Sequence, residues 1–392
     1  MSRGRWRYRH TVLALCVLAY FSIRFIEFAL ALVFPDIAEA LGASVFTIGV
    51  AVTASTITYA IPQLPSGALG DRFGERTVII AALGLTALGS LVLAAAPVGG
   101  AVVLGMALIG LVSGAYYNPA TDLLTDLFDE TGRAIGIHRI GAQVVGFTAP
   151  IVAFVGVTYG WRVVPLLSVL VAVPVLVGFG LIVRSRSPTQ PELPIRERIQ
   201  PSVLADLLSR PRIAFTTAIA SFGQFVDTAT FSFLPYILRE YHGLSLPVAG
   251  GLMTLYFVVL TVAQPIAGWL SDYLGRDSVA SVSLLVGVVG YLVLLAHGAF
   301  VAVVAAVVLV GLGMGWSPPV QSRVIDQLAE TERAIGFGLV RTVYIACASL
   351  CGVVIGGAVT IAGWTSAIAI LALVMAIPAL ALGTNAVFRI GL

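Results

Sequence analysis

The stretch GALGDRFGER at residues 67–76 recurs in altered form as GWLSDYLGR at residues 268–276. A second pair of matching segments follows, with ETGRAIG at residues 130–136 and ETERAIG at residues 330–336. The offset is 201 residues for the first pair and 200 residues for the second. Because both pairs repeat at nearly the same offset, the sequence indicates two related halves.

The composition indicates a chain that is surrounded by lipid. Of its 392 residues, 59% are hydrophobic and 10% are charged, whereas an ordinary soluble domain carries about 25% charged residues. Such a chain cannot cover itself with a water-compatible surface, and long apolar runs recur from end to end. We therefore predict an all-α polytopic membrane protein.

Apolar runs of about 20 residues, the length needed to cross a bilayer, occur about twelve times. They are separated into two sets of equal number by a polar, proline-rich stretch at 184–212. The predicted spans are Thr11–Phe34, Phe46–Leu69, Thr77–Ala96, Ala101–Leu124, Ala134–Val157, Val163–Val183, Ile213–Leu238, Pro247–Leu270, Val279–Ala296, Phe300–Val324, Ala334–Ile361 and Trp364–Val387. We therefore predict two pseudo-symmetric six-helix bundles, 1–183 and 213–392, with a linker at 184–212.

The distribution of arginine predicts the orientation, since the sequence contains no lysine. The termini, the linker and alternate connections contain most of the arginines, whereas the opposite loops contain only Arg162 and Arg239. Cytoplasmic loops of membrane proteins carry the excess of basic residues. We therefore predict a protein of the cytoplasmic membrane with both termini and the linker in the cytoplasm, and no nucleic-acid partner.

The cysteines and two histidines are interpreted as structural. Cys16, Cys347 and Cys351 lie in apolar segments, and we interpret them as small buried packing residues. Cys347 and Cys351 lie one helical turn apart, so a metal or redox pair is the alternative reading. His138 and His297 lie near span ends, which favours an interfacial position, although either could titrate. We predict no disulfide, metal site or cofactor.

The repeated stretch at 67–76 resembles the signature loop of the major facilitator superfamily, and the stretch at 268–276 resembles its weaker second copy. The resemblance covers the whole chain and implies the twelve-span fold of that family. In the family, the aspartate of this loop caps and charge-pairs with neighbouring helix ends and closes the cytoplasmic side. Glycines permit the tight turn that this needs. The resemblance assigns a gating role to Gly67, Asp71, Arg72, Gly74, Arg76, Gly268, Asp272, Gly275 and Arg276.

Other positions depart from the pattern of the family. Glu75 replaces the usual basic residue, and Asp277 follows the second copy, so the gating pairs stay open. Met106 stands where some members carry an arginine in the fourth span, so coupling schemes that rest on this arginine do not transfer. The segment Gly146-Phe-Thr-Ala149-Pro150 is similar to the Gly-Pro motif of drug/proton antiporters. It gives slight support to export.

Ionisable residues inside the predicted spans carry the functional prediction. A charge near the bilayer centre costs about 2.5 to 3.5 kcal/mol, so it normally faces a cavity or a partner. Arg24 and Glu27 share a helix face in the first span, and Gln224 and Asp227 are their counterparts in the seventh. We predict that Glu27 and Asp227 carry protons at a site between the halves. Asp227 is the better candidate, because Arg24 can hold Glu27 ionised. A purely structural ion pair of Arg24 and Glu27 is the alternative.

Two arginines further along suit an anionic substrate. Arg139 and Gln143 lie in the fifth span, and Arg341 and Tyr344 lie in the eleventh. These helices line the cavity in the family, and a guanidinium group binds carboxylates with two parallel hydrogen bonds. Such residues favour uptake or exchange of anions, so the direction of transport stays open. The alternative is snorkelling or pairing with acids of the inner gate, namely Asp122, Asp126 and Asp326.

The predicted function is secondary active transport of a small organic solute by alternating access, coupled to protons. The sequence contains no nucleophile motif, metal-ligand cluster or phosphate-binding loop, so we predict no enzyme activity. The expected partners are a small-molecule substrate, protons and the lipid bilayer, and we expect a monomer. The alternative function is a membrane sensor or assembly partner that has a transporter fold and carries no flux.

Overall fold

The computed structural model of the chain describes residues 3–63, 65–128, 131–185, 201–296, 298–329, 333–388 and 390–391. All regular secondary structure within these ranges is helical, as predicted. The helices are α1 (Arg3–Leu41), α2 (Val45–Ala60), α3 (Pro65–Phe73), α4 (Glu75–Ala94), α5 (Gly99–Leu127), α6 (Thr131–Gln143), α7 (Ala149–Tyr159), α8 (Val164–Ile182), α9 (Pro201–Ser209), α10 (Pro211–Tyr236), α11 (Leu246–Leu274), α12 (Arg276–Leu295), α13 (Phe300–Gly313), α14 (Ser317–Asp326), α15 (Arg333–Ala348) and α16 (Cys351–Phe388).

Ten helical stretches of the described chain are long and apolar enough to cross a membrane. The last of them, Gly336–Phe388, contains 53 residues, and Gly363 within it has a non-helical φ of 78°, so a kink divides it. Helix α10 is 26 residues long, but its polar residues, including Gln224 and Asp227, make it less apolar than the ten. The multi-pass architecture is thus confirmed, whereas the number of twelve crossings stays a prediction.

Contacts along the backbone divide the chain into two compact units. Unit 1 comprises Met1–Ala43 and Ala54–Gln200, and unit 2 comprises Ser44–Thr53 and Pro201–Leu392. The first half of α2 therefore groups with the second unit. The predicted limits of the bundles and linker stay a prediction. The linker includes α9, and its part at 186–200 lies outside the described residues. The same is true of residue 130 and residues 330–332 in the second pair of repeated segments.

Helix α1 lies at the centre of unit 1. Its residues Cys16 and Ile23 are fully buried and belong to one apolar cluster with Tyr116 of α5 and Phe179 of α8. Helices in lipid associate through such close packing, because lipid tails are as apolar as the side chains themselves. The central position of α1 carries Arg24 and Glu27 into the interior of the unit.

Glycines bring α5 against the second half of α2 in unit 1. A Cβ atom added at Gly110 would lie 2.0 Å from the carbonyl oxygen of Ser55, and one at Gly114 would lie 2.1 Å from that of Tyr59. Only glycine permits this approach of two backbones. The side chain of Thr58 adds a hydrogen bond of 2.7 Å to the carbonyl oxygen of Ala107.

A similar contact joins the first half of α2 to α16 in unit 2. A Cβ atom added at Gly49 would lie 2.1 Å from the carbonyl oxygen of Gly352, and the reverse distance is also 2.1 Å. The backbone N–H of Val353 donates to the hydroxyl of Thr53 at 3.0 Å. These two helices therefore pack almost backbone to backbone.

Several predicted spans are interrupted. The span predicted at Ala134–Val157 contains a 3₁₀ segment, Val144–Thr148, between α6 and α7. Pro150 lies at the start of α7, where its missing N–H costs no helical hydrogen bond. The segment that resembles the Gly-Pro motif therefore marks a break between two helices. A second 3₁₀ segment, Met314–Trp316, separates α13 from α14.

Candidate functional site

The acid of α1 is buried, and both of its oxygens are bound. Glu27 is 9% exposed, and its Oε2 forms an ion pair with the guanidinium of Arg24. Its Oε1 accepts a hydrogen bond of 2.7 Å from the hydroxyl of Ser113 on α5. The carboxylate therefore joins α1 to α5 and neutralises the half-buried Arg24. The contact between Arg24 and Glu27 exists in the structure, and its role stays a prediction.

The matching acid of α10 has a different neighbour. Asp227 is half-buried, and its Oδ2 lies 3.3 Å from the side-chain nitrogen of Gln224. The same nitrogen lies 3.3 Å from the hydroxyl of Thr228. Tyr256 and Tyr291 are buried and close enough to interact electrostatically with Asp227. Amide, hydroxyl and phenol groups of unit 2 thus lie among the neighbours of this acid.

The two arginines predicted to bind an anion lie in separate units. In unit 1, Arg139 is exposed and Gln143 is half-buried on α6. In unit 2, Arg341 is half-buried on α15, and Tyr344 is 4% exposed. Their contact with a substrate stays a prediction.

Both copies of the signature stretch turn at their last glycine. Gly74 separates α3 from α4 with a φ of 82°, and Gly275 separates α11 from α12 with a φ of 91°. A side chain at this positive φ would be strained, so glycine is required at both positions. At Gly268 an added Cβ would lie 3.4 Å from the side chain of Pro318, which is an ordinary van der Waals distance, so packing alone does not require glycine there.

The first signature region gathers acids. Asp71, Glu75 and Asp126 all lie close enough to Asp122 to interact with it electrostatically. Arg76 does not share an ion pair with Asp122 among the described contacts; one of its terminal nitrogens donates to the carbonyl oxygen of Gly180 on α8 at 2.5 Å. Arg72 is exposed, with its guanidinium 5.3 Å from the ring centroid of Phe73.

The second signature region forms ion pairs. The guanidinium of Arg276 is paired with Asp272, and its Nε donates to Asp326 Oδ2 at 3.2 Å. It also donates to the hydroxyl of Ser271 at 2.7 Å. Asp326, one of the acids proposed for the inner gate, therefore contacts the signature arginine of its own unit.

A buried polar network that sequence reasoning missed lies beside this region. Arg323 on α14 is 6% exposed, and its Nε donates to Asp277 Oδ1 on α12 at 2.6 Å. Another nitrogen of Arg323 donates to the hydroxyl of Thr216 on α10. The amide of Asn385 on α16 donates to Asp277 Oδ2 at 2.5 Å. One ion pair thus connects four helices of unit 2, and the position of Asp277 directly after the signature stretch was the available signal.

One structural interpretation was wrong, because Cys347 is exposed rather than buried, whereas Cys16 and Cys351 are buried as predicted. His138 is 0% exposed, because α6 carries it between α1 and α5. Its interfacial depth in the membrane stays a prediction. Among the described residues, no group of three or more His, Cys, Asp or Glu side chains could hold a metal ion. His297 lies outside the described residues.

Comparison with known proteins identifies the family. The sequence model of the Major Facilitator Superfamily matches residues 16–236 and 213–388, which together cover most of the chain. The chain belongs to the Major Facilitator Superfamily. It is therefore a multi-pass membrane protein of a family of secondary transporters, and the resemblance stated from the signature loops is confirmed.

Curated relatives of this superfamily member align over parts of their length. The uncharacterized MFS-type transporter YtbD of Bacillus subtilis is 24% identical over 266 residues, which are 67% of this chain and 65% of YtbD. The inner membrane transport protein YajR of Escherichia coli is 36% identical over 115 residues, which are 29% of this chain and 25% of YajR. The riboflavin transporter RibZ of Clostridioides difficile is 28% identical over 123 residues, 30% of this chain and 27% of RibZ. The aligned segments thus span less than two thirds of each relative.

Solved structures of transporters share the fold. The nucleoside transporter NupG, solved as a point mutant, has a TM-score of 0.81 at 13% identity, and the match covers 95% of this chain and 99% of that chain. A D-xylose-proton symporter has a TM-score of 0.76 at 14% identity, with coverage of 96% and 97%. The human organic anion transporter MFSD10 has a TM-score of 0.66 at 14% identity, with coverage of 95% and 99%. At these identities the similarity shows the major facilitator fold and not the substrate.

Proposed function

We propose that this protein is a proton-coupled secondary transporter that moves a small organic solute by alternating access. The observation that carries the proposal is a pair of acids at matching positions of the two halves, each inside a predicted span. Intramembrane acids are costly and normally serve a pathway for substrate or protons. Transporters with related halves bind substrate and coupling ion near the bilayer midplane.

The neighbours of the two acids assign them different roles. Both carboxylate oxygens of Glu27 already have partners, because one is paired with the guanidinium of Arg24 and the other accepts from Ser113. At the position that matches Arg24, unit 2 has the neutral amide of Gln224. An amide stabilises a carboxylate less than a guanidinium does, so a change of environment during the cycle can protonate Asp227. Asp227 is therefore the proposed proton carrier.

The proposed substrate is an organic solute with an anionic group. Arg139 and Arg341 supply guanidinium groups that bind carboxylate or phosphate with defined geometry. Tyr344, Tyr256 and the hydroxyls around Asp227 add aromatic surface and hydrogen-bond donors. The riboflavin transporter, to which part of the chain is similar, carries an aromatic solute by its name. We further propose cytoplasmic termini and a monomer.

Proton flux in liposomes tests this function. The purified protein is reconstituted with a pH-sensitive dye inside, and a panel of organic anions and cationic drugs is added outside. We expect at least one solute to enter together with protons, and Asp227→Asn to abolish accumulation driven by a pH gradient. Exchange of the same solute across the membrane without a gradient should persist in Asp227→Asn, because only the proton step is lost.

Gln224→Glu is the matched control, because it adds an acid beside Asp227 and should displace the pH dependence of coupled flux without abolishing it. Solute movement without protons, or unchanged coupling in Asp227→Asn, would contradict the assignment of Asp227. Absence of flux for every solute would favour the alternative function as a membrane sensor.

A further inference from the structure

His138 lies in a box of aromatic rings in the interior of unit 1. Its ring stacks on Tyr20 of α1 with a centroid distance of 4.9 Å and on Tyr117 of α5 at 5.7 Å. Tyr116 completes the box at 5.8 Å. One turn along α6, an added Cβ at Gly141 would lie 2.2 Å from the carbonyl oxygen of Val17, so α6 packs directly on α1. The imidazole is therefore fully enclosed.

The hydrogen bonds of Tyr116 define the tautomer of the neutral imidazole. The Tyr116 hydroxyl donates to the carbonyl oxygen of Cys16 at 2.7 Å. A hydroxyl has one proton, so its oxygen can only accept from His138 Nε2, which lies 3.0 Å away. Neutral His138 thus carries its proton on Nε2 and has a lone pair on Nδ1. This Nδ1 is buried and has no hydrogen-bond partner in the described structure.

A buried lone pair without a donor is costly, because burial removes the water that would satisfy it. The fold does not require this cost. At the positions that match His138 and Tyr20, with an offset of 200, unit 2 has Gly338 and Ala220. The related half therefore builds the same helices without the imidazole and without the box, which points to a function of His138.

The surroundings of His138 contain groups that favour a positive charge and groups that oppose one. The rings of Tyr20 and Tyr117 stack on the imidazole, and an aromatic face attracts a cation. The titratable groups that face His138 are Tyr20 and Cys16 from α1, Tyr116 and Tyr117 from α5, and Arg139 on its own helix. Burial opposes a charge on the imidazole, and so does the positive charge of Arg139, so a proton held here is readily released.

The box adjoins the buried ion pair of the same unit. Ser113, which donates to Glu27, lies one helical turn from Tyr116 and Tyr117 on α5. Tyr20 lies one turn from Arg24 on α1. His138 therefore lies next to the pair of Arg24 and Glu27, on the side nearer to the end of α5 and the start of α6.

We propose that His138 is a proton-binding site of unit 1, which takes up a proton on Nδ1 inside the box of Tyr20, Tyr116 and Tyr117. A role of this site in coupling rests on the proposed function. The site would give unit 1 a proton-binding group beside Glu27, whose carboxylate is paired with Arg24. Uptake adds one proton to a neutral imidazole and breaks no covalent bond.

Nitrogen-15 NMR of the full-length protein, labelled at histidine and reconstituted in bilayers, tests the site with the proton as the only ligand. The chain has four histidines, so the signals lost in His138→Gln identify those of His138. We expect Nε2 to be protonated and Nδ1 unprotonated at about pH 8, with Nδ1 gaining a proton as the pH falls to about 4. Tyr116→Phe removes the hydroxyl that accepts from Nε2, so neutral His138 should no longer prefer the tautomer with its proton on Nε2. The matched Tyr20→Phe leaves that hydroxyl in place and should preserve the preference.

A neutral His138 with its proton on Nδ1, or an Nδ1 that stays unprotonated over this pH range, would overturn the proposal. The liposome assay separates this proposal from the proposed function. Proton-coupled flux in the wild type with an Nδ1 that never titrates removes the His138 site and leaves coupled transport intact. Titration of Nδ1 without any proton flux preserves the site and removes its part in coupling. If both hold, His138→Gln should lower the number of protons moved per solute.

Discussion

The two signature regions share a turn but not all of their charges. Both turn at a glycine of positive φ, Gly74 in unit 1 and Gly275 in unit 2. At the offset of 201, however, three positions differ in the sign of their charge. Acid and base are exchanged between Glu75 and Arg276, between Arg76 and Asp277, and between Asp122 and Arg323.

This exchange of acids and bases changes the groups to which the charged side chains of each unit bind. In unit 2, Arg276 and Arg323 each bind an acid of the same unit. In unit 1, three acids surround Asp122, and Arg76 binds a backbone carbonyl of α8 instead. A repeated motif therefore preserves a turn more strictly than it preserves the interactions around that turn. The glycine is fixed by backbone geometry, whereas charges can be exchanged wherever a partner on a neighbouring helix changes too.

The largest difference between the two regions should appear on removal of the buried arginine. We expect Arg323→Met to lower the free energy of unfolding by about 3 to 5 kcal/mol, because it leaves Asp277 charged and without its ion partner. The matched Arg76→Met should cost about 1.5 to 3 kcal/mol, since it removes a charged hydrogen bond to a backbone carbonyl. Chemical denaturation of the purified protein in detergent measures both values.

A double variant separates the loss of an ion pair from a loss of packing. Asp277→Leu combined with Arg323→Met replaces the buried pair by apolar side chains and should recover most of the stability lost in Arg323→Met. If the double variant is as unstable as the single one, the hydrogen bonds of Thr216 and Asn385 dominate the network and the prediction is wrong.

A smaller effect is expected at the exposed pairs of the second region. Arg276→Ala should lower the free energy of unfolding by less than about 1 kcal/mol, because ion pairs in contact with water contribute little. Asp272 and Asp326, its two partners, are each 57% exposed. The same denaturation assay applies, and a loss as large as that of Arg323→Met would show that Arg276 is buried in the folded protein in detergent.

The smallest effect is expected when the first region is given the charge of the second. Glu75→Arg places a guanidinium at the position that Arg276 occupies and removes a like charge from the neighbourhood of Asp71 and Asp122. We expect a gain of about 0.3 to 0.5 kcal/mol at low salt, which should vanish at high salt because exposed charges are screened. Glu75→Gln is the control, with a smaller gain because it only removes the repulsion.

The sequence predicted the class of the fold and the family well, because hydropathy and a motif repeated at one offset are local signals. It also offered the contact of Arg24 with Glu27 as one alternative, because residues three apart on a helix share a face. It missed the pairing of Asp277 with Arg323, whose partners are 46 residues apart on different helices. It also missed the packing of Tyr20 and Tyr117 around His138, because these partners come from other helices and nearness to a span end predicts only membrane depth.

The contact of Gly49 with Gly352 has a consequence for how α2 and α16 come together. Two glycine backbones in contact immobilise no rotatable side chain, whereas ordering a long side chain costs up to about 2 kcal/mol in lost conformational entropy. At the two glycines there is also no side chain that must fit between side chains of the facing helix. The contact can therefore form with little rearrangement within either helix, and the hydroxyl of Thr53 supplies a directional hydrogen bond that fixes the register.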